Sequence, residues 1–269
     1  MWAFACGVVS VGVTLSENLG TLALGVLLAG PLMCGGSQAI NDWFDRHVDA
    51  VNEPERVVPS GRMPGRWALW IAIAMSLAAI PVAATLGPWV LAAATSGLVL
   101  AWAYSAPPIR LKRDGWLGPS ACALAYEGLP WFAAAAALSG GLPSSPIITA
   151  AALYAVGAIG IMTLNDFKAV DGDRAHGVRS LPVRYGTARA ARIACAIMAA
   201  AQLAVVLLLV AVDRSGHAVA ICGLLAVQLT CMARLTSDPA RYAPWYNAVG
   251  TGLYVGGMMV CAHALGSMA

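Results

Sequence analysis

Nine apolar runs, most of them near 20 residues long, divide this chain at about 2–16, 18–40, 67–86, 88–106, 116–138, 146–164, 189–212, 217–234 and 245–266. Runs of that length match the hydrocarbon core of a bilayer, inside which a spanning backbone must satisfy its own hydrogen bonds. Ala, Leu, Val and Gly fill them without two-residue alternation, which predicts helices rather than barrel strands. With 59% hydrophobic and 11% charged residues, the chain lies outside the soluble range. The expected fold is all-α: a polytopic membrane protein of about nine transmembrane helices forming one domain over residues 1–269.

The first run has about 15 residues before Ser16 and lacks a basic leader or small-residue cleavage pattern. It reads as a retained helix, part of whose span is expected to precede this N-terminus. Seven cysteines show no CxxC pairing and fall mostly inside apolar runs, so they read as small packing residues rather than zinc ligands or disulfides.

Charge is distributed one-sidedly. Of 16 Lys and Arg, all but Arg214 lie in the loops 41–66, 107–115, 165–192 and 235–244 or at the helix end before the last of these. That asymmetry places the N-terminus and all four loops at the cytoplasmic face. A basic surface beside a bilayer suits anionic lipid or an anionic substrate, and nothing points to nucleic acid.

Two acid-rich stretches share that face, Asn41 to Asp49 and Asn165 to Asp173, each at the end of an apolar run. On a continuous helix Asn41, Asp45 and Asp49 fall within about 80° of one another. Asp166 and Asp173, seven apart, align within about 20° on the same assumption. Asp42, Glu53, Glu55, Asp114 and Asp171 read instead as loop charges paired with Arg.

Stacked carboxylates at a membrane boundary repel one another and are expensive to desolvate unless a cation is present. Oxygen-only ligands suit Mg²⁺, which takes one or two protein carboxylates and completes its shell with water and phosphate. Asn41, Asp45, Asp49, Asp166 and Asp173 are therefore the candidate metal and catalytic residues, and two Mg²⁺ ions would bracket a diphosphate. Arg56, Lys112, Lys168 and Arg174 are candidates for its remaining negative oxygens. Glu127, about 11 residues inside its span, should face the cavity or be protonated, and is a candidate to line a substrate space.

These residues resemble the UbiA-type intramembrane prenyltransferase superfamily. Its N-D-x-x-D-x-x-x-D signature is matched at Asn41, Asp42, Asp45 and Asp49, and Tyr104 through Lys112 resembles a second motif that brings Tyr104 into the substrate-binding set. Asn41 through Gly61 and Asn165 through Pro182 are similar to the chlorophyll and bacteriochlorophyll synthase branch. The superfamily usually has an acid three residues after Asp166, where this chain has Ala169, and a Pro where it has Val57. The branch shares the small residue, and Asp171 is a candidate replacement ligand.

The resemblance implies nine helices around a central cavity, two Mg²⁺, and transfer of a geranylgeranyl or phytyl group from its diphosphate to the propionate carboxylate of bacteriochlorophyllide a. It also implies a bacterial photosynthetic membrane and possible pigment-pathway protein partners. Alternatives are a prenyltransferase acting on a quinone precursor or haem, or, in another class, a membrane cation transporter.

Overall fold

The computed structural model describes residues 1–175 and 177–268, and among these the chain is helical, with one isolated β-bridge. α1 (Trp2–Val9) is short. α2 (Leu19–Leu27), a π-helical segment Leu28–Gly35 and α3 (Gly36–Asn52) run on as one long rod. α4 (Trp67–Thr85) and α5 (Pro88–Ser105) follow, then α6 (Leu117–Ala123), a second π segment Leu124–Gly128 and α7 (Leu129–Ser139). α8 (Ser145–Asn165) leads through a 3-10 turn, Asp166–Lys168, to α9 (Val170–Ala175) and α10 (Leu181–Tyr185). α11 (Thr187–Ala211), α12 (Ser215–Ser237) and α13 (Pro239–Gly266) complete the chain.

Among the described residues, seven continuous stretches are long and apolar enough to cross a membrane. α5, at 18 residues, and the short α1 bring the bundle to the expected nine segments. The departure from the sequence reading is at the first of them. Ser10 to Thr14 leave the helix after Val9, with Gly12 at φ +71°, so the first segment ends well before Ser16.

The helices close into a ring because α1 packs against both α7 and α13. Its Trp2 indole donates to the Val255 carbonyl at 2.9 Å. Without water to drive association, the ring depends on close backbone approach and satisfied polar groups. Gly160 lies so near α11 that an added Cβ would sit 2.5 Å from the Ala194 carbonyl oxygen. Trp131 stacks on Tyr154 at 5.7 Å, and Tyr254 meets Tyr154 edge-on at 5.3 Å while its hydroxyl donates to the Tyr154 carbonyl. Buried Gln228 donates to the Tyr246 hydroxyl at 2.9 Å and accepts from Gln202, linking α11, α12 and α13.

Candidate functional site

At one end of the ring the two acidic stretches meet. The α5–α6 loop and the segment before α10 are sewn together: the Arg179 amide donates to the Arg113 carbonyl at 2.9 Å, and Arg184 pairs with Asp114 at 3.3 Å. This seam needs a glycine. A Cβ on Gly115 would lie 2.6 Å from the Leu181 amide nitrogen and 2.7 Å from the Arg179 carbonyl oxygen. Asp114 also accepts the amides of Trp116 and Leu117 at 2.9 and 3.0 Å, capping the entry to α6. Those backbone donors hold its carboxyl below the usual carboxylate range.

Within this frame lies a polar cavity of about 390 Å³ lined by Asp45, Asp49, Asp166 and Asp173, with Tyr104 and Lys112 among its walls. Asn41 lines a second, adjoining cavity rather than this one, and reaches Asp45 by donating to it at 3.0 Å while also donating to Ser105 at 3.3 Å. The α3 reading holds: one unbroken helix carries Asn41, Asp45 and Asp49. Off that face, Asp42 pairs with Arg56 at 3.3 Å, as expected of a loop charge. The second reading is corrected in its geometry. Asp166 and Asp173 do not share a continuous helix, because the backbone leaves helical values at Ala169 between the 3-10 turn and α9. The bend nevertheless brings both to the same cavity.

The basic residues sort differently from expectation. Lys112 bonds Asp45 inside the cavity, where burial holds its ammonium below the usual lysine value although Asp45 pulls the other way. Arg56 braces the acidic face from outside, 3.0 Å from Asp49. Lys168 is exposed and lines neither this cavity nor the apolar one beneath it, and Arg174 pairs at the surface with Asp171, 3.3 Å away. Asp171 is likewise outside the cavity lining. Arg110 is the functional side chain that sequence reasoning passed over. It reaches Asp45 at 3.0 Å from a backbone at φ +41°, and its Nε is buried without a partner. Its place in the basic Arg110–Lys112–Arg113 cluster was the available signal.

Beneath the polar cavity opens a second of about 420 Å³, walled chiefly by Leu, Val, Ala, Met and Gly. Tyr104, Cys122 and Met162 line both, so the two spaces adjoin. Glu127 lines neither, and its Oε2 is enclosed without a hydrogen-bond partner. Its sequence-level role as a wall of the substrate space is not where the structure puts it.

The polar cavity is lined by five acidic residues, Asp45, Asp49, Asp114, Asp166 and Asp173, against three basic ones, Arg110, Lys112 and Arg113. An anionic head group entering so negative a space requires accompanying cations, and the oxygen-only acidic set suits a hard divalent ion. No three acidic, His or Cys side chains converge on one point among the described residues, so substrate oxygens would have to complete the shell.

The UbiA prenyltransferase family pattern matches residues 1–252. The chain belongs to the UbiA prenyltransferase family. Among its relatives, the bacteriochlorophyll synthase 33 kDa chain of Cereibacter sphaeroides is 57% identical across 98% of this chain and 88% of that protein. The chloroplastic chlorophyll synthase of Oryza sativa is 34% identical across 98% and 72%. Among solved structures, a digeranylgeranylglyceryl phosphate synthase superposes with a TM-score of 0.76 at 18% identity, covering 97% of this chain and 92% of that one. A UbiA homolog from Archaeoglobus fulgidus bound to GPP and Mg²⁺ gives 0.70 at 21% identity, with coverage of 96% and 95%. The family's prenyltransferase activity and intramembrane helical fold are thus those of this chain.

Proposed function

We propose that this prenyltransferase is a bacteriochlorophyll synthase, transferring a geranylgeranyl or phytyl group from its diphosphate to the propionate carboxylate of bacteriochlorophyllide a. The observation that carries the reading is the meeting of an apolar cavity with a charged one at Tyr104, Cys122 and Met162. An isoprenoid diphosphate has that same two-part character. High identity to the Cereibacter sphaeroides relative supports the tetrapyrrole acceptor, and the Archaeoglobus fulgidus complex supports Mg²⁺ and an isoprenoid diphosphate.

In this reading Asn41, Asp45 and Asp49 would hold one Mg²⁺ and Asp166 and Asp173 a second, at a cytoplasmic mouth of a bacterial photosynthetic membrane. The ions, when bound, supply positive charge that stabilises diphosphate as it departs. Arg110 and Lys112 add hydrogen-bond donors at the same mouth, where charge develops on the leaving oxygens. The bond between C1 and the diphosphate oxygen breaks with its electron pair on oxygen, and a carboxylate oxygen of the acceptor bonds to C1. No protein nucleophile takes part. Apolar walls exclude water, which would otherwise capture the allylic cation.

Membranes containing the chain, incubated with bacteriochlorophyllide a, geranylgeranyl diphosphate and Mg²⁺, should yield the esterified pigment by chromatography. Absence of ester, with a quinone precursor or haem prenylated instead, would overturn the acceptor assignment; undiminished product in EDTA would overturn the metal assignment.

A further inference from the structure

The apolar cavity contains a polar cluster that an isoprenoid tail does not explain. Ser37, Gln38 and Tyr126 all line it. Ser37 lies four residues before Asn41 on α3, and Tyr126 four after Cys122. The cluster is therefore about one helical turn, some 5 Å, below the junction of the two cavities.

Its hydrogens can be assigned. The Ser37 hydroxyl donates to the Cys34 carbonyl at 2.8 Å. Having spent its one proton there, it must accept at its 2.9 Å contact with Tyr126, which makes the Tyr126 hydroxyl the donor. Tyr126 in turn accepts from the Gln38 amide nitrogen at 3.2 Å. The chain of bonds ends on a backbone carbonyl and so runs in one direction. It fixes which way the Gln38 amide faces and leaves that amide one N–H and its carbonyl oxygen. Asn41, by contrast, directs its side-chain nitrogen to Asp45 and Ser105. Among the described side chains lining this cavity, Gln38 thus keeps both a donor and an acceptor that stay accessible beside the apolar walls.

We infer that Gln38 is the acceptor subsite: its free N–H holds one oxygen of the acceptor's carboxylate while the other oxygen faces the C1 carbon at the cavity junction. Tyr126 and Ser37 are positioning residues that set the amide. A carboxylate leaving water needs a donor, and Arg110 and Lys112 line the polar cavity, where the proposed function gives their donors to Asp45 and the departing diphosphate, rather than the apolar cavity that Gln38 lines. The inference rests on the carboxylate acceptor of the proposed function.

The test is steady-state kinetics in membranes with each substrate varied in turn. Gln38→Leu should raise KM for bacteriochlorophyllide about tenfold or more, the worth of a hydrogen bond to a charged group, and leave KM for geranylgeranyl diphosphate within about twofold. Tyr126→Phe, which frees the amide without removing it, should raise the acceptor KM by a smaller factor. Gln38→Met offers the same comparison if the leucine variant fails to accumulate. An unchanged acceptor KM, or an equal rise in both, overturns the subsite. An unsubstituted chain that forms no pigment ester overturns instead the function on which the subsite rests.

Discussion

Arg110 donates from Nη2 to the Asp45 carboxylate at 3.0 Å, joining two residues 65 positions apart across the mouth of the bundle. The same carboxylate is bonded by Lys112. Arg110→Ala should lower the transfer rate by about 100-fold, in the range seen when one donor to a departing charge is lost. Arg110→Lys should recover only part, because a point charge does not reproduce a guanidinium fork. Rates with saturating substrates check this; wild-type turnover in the alanine variant would exclude Arg110 from the site.

Asp45→Asn, Asp166→Asn and Asp173→Asn should each reduce activity by roughly 100-fold or more and shift the Mg²⁺ concentration for half-maximal rate upward. Asp171→Asn should leave both nearly unchanged, since Asp171 pairs with Arg174 at the surface. Metal titrations on the four variants separate the two groups of aspartates.

Much of this arrangement was legible in the residues. The lengths of the apolar runs gave the spans, and the spacing of Asn41, Asp45 and Asp49 gave one face because a helix continues through them. The same periodicity argument misjudged Asp166 and Asp173: local bends at Ala169 leave no periodic trace in so short a segment. Nor could the sequence orient Glu127. Its helix is apolar on all sides, so polarity names no inward face, and the π segment at Leu124–Gly128 changes the helical phase within which Glu127 sits. Arg110 went unrecognised because its reach depends on a left-handed backbone that only the tertiary contact reveals.

Gly115→Ala should damage activity far more than Gly141→Ala. The first Cβ would press on the Leu181 and Arg179 backbones, while the second would meet nothing within 4 Å. Overpacking of this kind typically costs about 1–3 kcal/mol. Thermal unfolding in detergent, with activity measured alongside, checks both variants.

Asp114→Ala should destabilise the chain by about 1 kcal/mol through loss of its cap on α6. The folded carboxyl is held below its usual value. Its contribution is therefore fully present above the unfolded carboxylate value, near pH 4, and fades as pH falls through the folded one. The gap between wild type and variant should accordingly be constant from about pH 5 to 7 and shrink toward about pH 3 in pH-resolved melting curves. A gap that widens on acidification contradicts this role.

Glu127→Gln should leave both KM values within about twofold, because this side chain borders neither cavity. A selective rise in the acceptor KM would place it in the substrate space after all.

The backbone contact at Gly115 carries a consequence for how the mouth can move. Each half of the protein contributes one acidic jaw, and where the 113–115 and 179–181 segments meet, peptide packs directly on peptide with the Arg184–Asp114 pair beside it. Any force that displaces residues 179–181, from a docking protein or from the membrane itself, must therefore tug the Arg110–Lys112 loop along with it and alter the grip on Asp45.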